Sequence, residues 1–154
     1  MVFDYVYDMC TANLLQGDTV ILDEIWRMLI HEASSEIIYE MVKLLRGYGS
    51  HCIMGTQDIT DITQCKYGEA LLNATKIKFF LSGEEQHMKA ITEMYDLNTT
   101  ELLYLKSPGY GKAIMVVNGE KTLVHIETSP FEDYCFNTDK KQREKYAALK
   151  SSPN

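Results

Sequence analysis

Apolar residues along the chain follow two spacings, and each spacing predicts a different kind of element. Runs of consecutive apolar and β-branched residues, with no polar face, are typical of strands buried on both sides of a parallel sheet. Such runs predict strands over 19–22, 51–55 and 77–81. Two further runs, 112–117 and 122–127, flank Asn118-Gly119, a dipeptide that strongly favours a tight hairpin turn.

Helices are predicted where apolar residues recur three or four positions apart, as on one buried helix face. This spacing predicts helices over 2–15, around 36–45, around 65–74, from about 82 to 95 and from about 98 to 106. A loop is expected near Glu32 to Ser34, before the second helix. Ser82 with Glu85, and Asn98 with Glu101, match the capping-box pattern that starts a helix.

The order of these elements predicts the class of fold. Strand–helix alternation over the first 95 residues is typical of an α/β protein with three layers, helices covering both faces of a mostly parallel sheet. The hairpin is expected to add a small antiparallel appendage. No repeat, linker or low-complexity segment divides the chain, so we expect one domain over 1–138, followed by a charged C-terminal helix or tail over 139–154.

Composition narrows the class of protein. The formal net charge of −7 disfavours a broad nucleic-acid-binding face, although a local basic patch stays open. The four cysteines form no C-x-x-C pair, which indicates reduced thiols and neither a zinc site nor a disulfide framework. No apolar run approaches the roughly 20 residues that span a bilayer, and no signal peptide is apparent. We therefore expect a cytoplasmic protein.

The strongest chemical signal is the acidic pair Asp23-Glu24, directly after the strand over 19–22. Ligands of parallel sheets bind beyond the carboxyl ends of the strands, so both carboxylates would face that crevice. The first acid can hold Mg²⁺, usually through water, and the second can deprotonate the water that attacks a phosphoanhydride. The same two residues would also suit a plain helix start, with Asp23 as N-cap and Glu24 as a first-turn charge.

Two more residues are candidates for the same chemistry. Gln57 follows the next strand, where its amide could bond a γ-phosphate or the attacking water; a turn or helix cap is the structural alternative. Arg46 ends the helix between these strands and could reach a phosphate in a neighbouring subunit, as an arginine finger does. Its structural alternative is an arginine that complements the negative end of the helix dipole.

Two other patterns are weaker than they look. Gly109-Tyr110-Gly111-Lys112 resembles a phosphate-binding loop, but it fails G-x-x-x-x-G-K-[ST] and precedes a strand instead of a helix. We therefore interpret it as a turn. The basic run over 140–145 is short and contains an acid, which favours a solvated helix face over a nucleic-acid contact.

Taken together, the motifs resemble those of one family. Residues 21–26, Leu45-Arg46 and the stretch 54–59 look like the C-terminal half of the large type IV secretion ATPases, which drive conjugation. Those enzymes belong to the FtsK–HerA class of RecA-like motors. Asn73-Ala74-Thr75-Lys76 and the terminal Ser129-Pro130-Phe131-Glu132 agree with that pattern, so the resemblance covers about residues 1–138.

The resemblance implies roles for individual residues. Asp23 would be the magnesium-associated acid, Glu24 the catalytic base and Gln57 the phosphate-sensing glutamine. Arg46 would be the arginine that the family uses across subunits, although many relatives follow it with Lys or Arg and this chain has Gly47. ATP and Mg²⁺ would be bound by the full-length protein, with a hexameric ring, secretion-channel and coupling proteins as partners, at the inner face of the membrane.

One feature of the family is missing from this sequence. Relatives carry a Walker A loop well upstream, and the sequence contains no G-x-x-x-x-G-K-[ST]. In RecA-like sheets the strand that precedes this loop lies between the strand over 51–55 and the strand over 77–81. Without it, two strand edges are exposed, and exposed edges invite pairing. We therefore expect residues 51–55 to pair with 76–81, or the chain to dimerise.

These observations leave two functions open. The first is the C-terminal part of a motor that hydrolyses ATP for conjugative DNA transfer or type IV secretion, inactive alone and binding no nucleotide by itself. The second is a standalone α/β domain of a conjugative element that binds partner proteins without hydrolysis. A third possibility is a soluble α/β domain with no link to nucleotides.

Overall fold

The computed structural model describes residues 2–12, 17–136 and 144 of the chain. The strands are β1 Thr19–Leu22, β2 His51–Met54, β3 Ile77–Leu81, β4 Lys112–Val117 and β5 Glu120–His125. The helices are α1 Val2–Thr11, α2 Trp26–Leu29, α3 Glu32–Gly47, α4 Ile59–Thr63, α5 Gly68–Ala74, α6 Glu85–Tyr95, α7 Thr99–Lys106 and α8 Pro130–Phe136. The mixed α/β class predicted from the sequence is confirmed. The predicted tail over 139–154 lies outside the described residues, except for residue 144.

The predicted loop before α3 is wrong, because residues 32–34 form the first turn of that helix. The hydroxyl of Ser34 donates to the Met28 carbonyl at 2.6 Å and to the His31 carbonyl at 3.0 Å. Serine side chains that satisfy nearby backbone groups in this way suit a helix entry as well as a loop. The helix predicted around 36–45 is present, and its polar first turn was mistaken for a loop; α3 continues to Gly47.

The two predicted capping boxes had different outcomes. Asn98 and Glu101 form theirs, with the Glu101 N–H donating to Asn98 Oδ1 at 2.9 Å and the Asn98 N–H donating to Glu101 Oε2 at 2.8 Å. The box predicted for Ser82 is wrong, because α6 begins at Glu85 after an N-cap residue, Glu84, whose side chain makes no capping bond. The ring of His87 lies close to Gly83, and the N-cap residue Glu84 has an extended backbone, with φ of −62° and ψ of 157°.

The strands form two sheets. β1 and β2 are parallel and in register, with Thr19 opposite His51 and Leu22 opposite Met54. β3, β4 and β5 form an antiparallel sheet in that order. The predicted hairpin is present: Asn118 and Gly119 have φ of 52° and 90°, the positive values that a two-residue type I′ turn requires. β5 therefore begins two residues earlier than predicted, and the hairpin pairs with β3 instead of standing apart.

The predicted pairing of residues 51–55 with 76–81 is wrong for the single chain. Among the described residues, the strand partner of β2 is β1 and that of β3 is β4. β3 pairs instead with β4, in an antiparallel register that runs from Ile77 opposite Val117 to Leu81 opposite Ala113, although β2 is nearer to β3 along the chain. The gap stays open, and dimerisation of the chain remains a prediction.

Two hydrophobic cores hold the helices against the sheets. The first contains residues of β1, α2, α3, α4 and α5, together with Ile25: Leu22, Ile25, Leu29, Ile38, Met41, Leu45, Ile62 and Leu71. The second contains residues of α4, β3, α6, α7 and β4, together with Leu97: Ile59, Phe80, Met88, Ile91, Leu97, Leu105, Ile114 and Val116. The short helix α4, which sequence analysis missed, thus contributes one isoleucine to each core.

The other face of the strands is apolar and exposed. Ile21 and Ile53 are register partners in the parallel pair, and 69% and 55% of their surfaces are accessible. On β3 the same holds for Ile77, Phe79 and Leu81, each about half exposed, while Phe80 on the opposite face is buried. We call these five exposed residues the bare apolar face. Two of them lie on the parallel pair and three on β3, and exposed apolar side chains arranged in this way are typical of a surface that another polypeptide covers.

No helix within the described ranges is long and apolar enough to cross a membrane.

Replacing Asp96 by glycine is expected to stabilise the fold. Asp96 ends α6 with φ of 48°, in the left-handed region where a side chain is penalised and glycine is not. We expect Asp96→Gly to raise the free energy of unfolding in urea by about 0.5–1 kcal/mol. Asp96→Ala is the matched control, since alanine keeps the penalty, and an equal gain in both variants would contradict the explanation.

Glu101 is expected to make stability depend on pH. Burial favours its neutral form, but the Asn98 N–H and the Lys121 ammonium, 3.0 Å from Oε2, outweigh burial and lower the pKa of Glu101. A lowered folded-state pKa gives stability that is complete above the unfolded-state pKa and lost as pH falls through the folded-state pKa.

Glu101→Gln should therefore destabilise the chain at neutral pH, and its difference from the unmodified chain should shrink on acidification. Urea unfolding at several pH values measures this difference. Glu93→Gln is the control, because Glu93 is exposed and lies 3.9 Å from Lys89 in a surface ion pair of little value. A Glu101→Gln defect that is constant with pH would rule out the linkage.

Candidate functional site

Backbone hydrogen bonds bring the ends of β1 and β2 together. The N–H of Gly55 donates to the Leu22 carbonyl at 2.9 Å, and the N–H of Ile25 donates to the Gly55 carbonyl at 2.9 Å. These bonds prolong the parallel pair past its last register partners. The turn after β1, which carries Asp23 and Glu24, is thereby fixed beside the segment that leads from β2 to Gln57.

Glu24 lies at the centre of the site, and both of its carboxylate oxygens are hydrogen-bonded. Oε1 accepts a 2.5 Å bond from Nε2 of Gln57, which is 33 residues away in sequence. Oε2 accepts a 2.8 Å bond from the indole Nε1 of Trp26. The geometry thus unites an acid and an amide from the carboxyl ends of two adjacent strands.

The backbone of Glu24 has φ of 51°, in the left-handed region. For a residue with a side chain this conformation costs about 1–2 kcal/mol. A hydrogen bond to a charged group contributes about 1.5–3 kcal/mol. Two such bonds to the carboxylate therefore offset the strain, and Glu24 is held with its side chain toward Gln57 and Trp26.

Asp23 is exposed and lies beside a glycine. Its Oδ1 accepts a 3.0 Å bond from the Glu24 N–H, which also supports the turn. A Cβ atom added at Gly55 would lie 3.1 Å from this oxygen, tighter than ordinary contact. Gly55 therefore leaves the space that the Asp23 carboxylate occupies.

The loop that carries Gln57 is anchored on its other side. Asp58 caps α4, accepting a 2.9 Å bond from the Thr60 N–H, and the hydroxyl of Thr56 donates to the Asp58 carbonyl. Asp58 Oδ1 also lies 3.4 Å from Nδ1 of His87 on α6. The Thr60 N–H, assisted by His87, lowers the pKa of Asp58 below its ordinary value, so this anchor is charged at neutral pH.

Arg46 lies away from these residues. It is exposed in the last turn of α3, just before the chain enters the amino end of β2, where the His51 N–H donates to the Asp18 carbonyl. Asp23 and Glu24 follow the opposite, carboxyl end of the strands. The structure therefore brings together Asp23, Glu24 and Gln57 but not Arg46, whose role toward a neighbouring subunit remains a prediction.

Sequence analysis gave no role to two residues that contact the site, Trp26 and Gly55. The sequence did contain a signal for each. Trp26 is a hydrogen-bond donor two positions after Glu24, and Gly55 is a glycine at the end of the next strand. The segment Gly109-Tyr110-Gly111-Lys112, predicted as a turn, leads directly into β4, which begins at Lys112. The ammonium of Lys112 donates to Ser107 Oγ at 2.6 Å and to the Pro108 carbonyl at 2.7 Å, so it serves the loop itself.

The donor atoms of the site suit magnesium held in part by water and phosphate. Within the described ranges no group of three or more His, Cys, Asp or Glu side chains could hold a metal ion. Mg²⁺ is commonly bound by one or two carboxylates, several waters and substrate phosphates, all of them oxygen ligands. Asp23, with an exposed carboxylate beside Glu24, fits that requirement, and it needs phosphate oxygens to complete the coordination.

Comparison with known proteins identifies the family. A model of the TraG P-loop domain matches residues 5–152, nearly the whole chain. The structure of VirB4 of Thermoanaerobacter pseudethanolicus is similar, with a TM-score of 0.75 and 22% sequence identity, over 85% of this chain. A search of curated proteins gives no match.

The chain belongs to the TraG P-loop domain family, as the match to residues 5–152 shows. The likeness to VirB4 shows that the two share a fold, and this chain spans 36% of the VirB4 chain. The family resemblance inferred from the sequence is thereby confirmed. The individual roles of Asp23, Glu24, Gln57 and Arg46 stay predictions.

Replacing Gly55 by alanine is expected to disturb Asp23. The backbone of Gly55 is bonded to Leu22 and Ile25 on the strand side, so the exposed Asp23 carboxylate must shift by a few tenths of an ångström and weaken its bond from the Glu24 N–H. We expect the Glu24 amide resonance to shift in the ¹H–¹⁵N spectrum and the free energy of unfolding to fall by less than about 1 kcal/mol.

Gly47→Ala is the matched control for this substitution. A Cβ added at Gly47 meets nothing within 4 Å, and Gly47 is helical, so alanine should raise stability slightly. A Glu24 resonance that responds equally to both substitutions would disprove the proposed crowding of Asp23.

Proposed function

We propose that this chain supplies the water-activating part of a composite ATPase site in a motor for type IV secretion or conjugative DNA transfer. The observation that carries the proposal is the 2.5 Å contact between Glu24 and Gln57 at the carboxyl edge of the parallel pair. An acid and an amide that meet at this edge suit a base for water and a sensor for phosphate.

Each residue has a separate task in the proposed reaction. Glu24 accepts a proton from the water that attacks the terminal phosphorus of ATP. The amide of Gln57, exposed at the same edge, donates a hydrogen bond to that phosphate or orients the water. Asp23 would hold Mg²⁺ through water, and the ion would offset the negative charge of the phosphates.

A phosphate-binding loop must come from polypeptide outside these 154 residues. The sequence has no G-x-x-x-x-G-K-[ST] motif, although the family is a P-loop domain. The bare apolar face and the unpaired edges of β2 and β3 supply a surface for that polypeptide. Burying five half-exposed apolar side chains there would contribute several kilocalories per mole, at about 25 cal/mol per Å².

Arg46 acts, in this proposal, on a site in another subunit. Its exposed position at the far end of α3 suits a contact across a ring interface better than a contact with Glu24 of the same chain. An arginine brought in from a neighbour stabilises the charge of the phosphoryl transition state. The complete protein would then be a hexameric ring at the inner face of the membrane, bound to coupling and channel proteins.

Restoring the missing part of the site tests the function. The chain would be joined to a segment of a family member that carries the phosphate-binding loop, and phosphate release from ATP and Mg²⁺ would be measured. We expect each part alone to be inactive and the joined protein to hydrolyse ATP. Glu24→Gln should then lower kcat by about 100-fold or more, the range typical of a general base.

Glu40→Gln is the control for that substitution, because Glu40 is an exposed glutamate on α3, away from the strand ends. Hydrolysis that survives Glu24→Gln undiminished would overturn the assignment of the base. A joined protein that folds and stays inactive would favour the second function, a domain that binds secretion proteins without hydrolysis. The exposed apolar face is the observation that supports this alternative.

A further inference from the structure

The chain has a single tryptophan, and its one polar atom is bonded to the proposed catalytic base. The indole Nε1–H of Trp26 donates to Glu24 Oε2 at 2.8 Å. An indole has one donor and no acceptor, so this bond uses the whole hydrogen-bonding capacity of the side chain. Trp26 therefore contributes a hydrogen bond to the Glu24 carboxylate in addition to any apolar contacts of its ring.

The position of the indole is fixed by its own helix. Trp26 is the first residue of α2, between Ile25 and Leu29, which are 1% and 2% exposed in the first core. The guanidinium of Arg27 lies 5.4 Å from the centre of the Trp26 ring, close enough for a cation–π contact. The backbone from which the indole extends is thus anchored in the first core, independently of Glu24.

The two donors to Glu24 differ in what they are free to do. Gln57 is exposed on a loop, and as a phosphate sensor it must release the carboxylate when it turns to a phosphate. Trp26 is partly buried on a helix whose neighbouring residues Ile25 and Leu29 lie in the first core, and its single donor is already bonded to Glu24. If Gln57 were the only donor, the Glu24 carboxylate would have no hydrogen bond to fix its orientation at the moment when it has to accept a proton.

We propose that Trp26 is a positioning residue for Glu24, the fixed donor that keeps the carboxylate aimed at the water while Gln57 exchanges partners. The inference rests on the proposed function, in which Glu24 is the base. In this role Trp26 takes no chemical part in the reaction. It affects the chemical step by orienting the Glu24 carboxylate, and it does not affect nucleotide binding.

The contact is tested first on the chain itself, which gives one indole N–H signal in a ¹H–¹⁵N spectrum. Glu24→Leu removes the acceptor, and we expect the signal to move upfield and its exchange with water to become about tenfold faster or more. Gln57→Ala leaves the Oε2 bond, and the signal should stay in place. An indole signal unchanged by Glu24→Leu, or shifted equally by Gln57→Ala, would overturn the proposal.

The role is tested next in the joined protein described above. Replacing Trp26 by benzothienylalanine keeps the bicyclic shape and exchanges the N–H for sulfur; Trp26→Phe is the second variant. We expect kcat to fall about tenfold or more with KM within about twofold, since an orientation effect acts on the chemical step. Glu40→Gln, the exposed control on α3, should retain kcat.

The outcomes separate this inference from the function on which it rests. If Glu24→Gln lowers kcat and the benzothienylalanine variant does not, Trp26 is structural and the inference fails alone. If Glu24→Gln has no effect, the proposed function fails, whatever the indole signal shows. A variant in which KM rises and kcat is retained would likewise exclude a positioning role.

Discussion

The site depends on two backbone hydrogen bonds, from Gly55 to Leu22 and from Ile25 to Gly55, each 2.9 Å long. They extend a parallel pair of only four residues a strand to include the turn that follows it. The turn is strained at Glu24, and an isolated turn would relax to a conformation with negative φ. The bonds fix both ends of the turn, so the carboxylates of Asp23 and Glu24 lie at a defined place on the sheet edge. The strained backbone of Glu24 is kept, and it determines the direction of the Glu24 side chain.

Much of the fold follows from local sequence, with a few exceptions. The strands over 19–22 and 77–81 match the prediction to the residue, since each is an apolar run bounded by polar or turn-forming residues. At the starts of α3 and α6, Ser34 bonds to Met28 and the ring of His87 lies close to Gly83, and the spacing of apolar residues predicts neither contact. The partner of β3 was not predictable from the order of the elements either, because β2 is nearer along the chain and β3 pairs with β4.

The site was only partly predictable. That two strand ends would bring Glu24 near Gln57 follows from parallel topology, because consecutive strands of this kind end at the same edge. That Glu24 would adopt φ of 51° does not follow, since glutamate has no preference for that region and no glycine marks the turn. The contact with Trp26 depends in turn on that backbone, because a helical or extended residue 24 would direct its carboxylate elsewhere. The contact between Trp26 and Glu24 was therefore not predicted, because it depends on a dihedral angle that the sequence does not indicate.

The bond between Glu24 and Gln57 joins parts of the chain that are anchored in different places. Glu24 precedes Ile25, which is buried in the first core, whereas Gln57 precedes α4, whose Ile59 is buried in the second. Asp58, next to Gln57, contacts His87 of α6, so the amide is also tied to a helix of the second core. α4 itself contacts both cores, because its Ile62 is buried in the first. The contact between the Gln57 amide and the Glu24 carboxylate therefore lies where elements of the two cores meet.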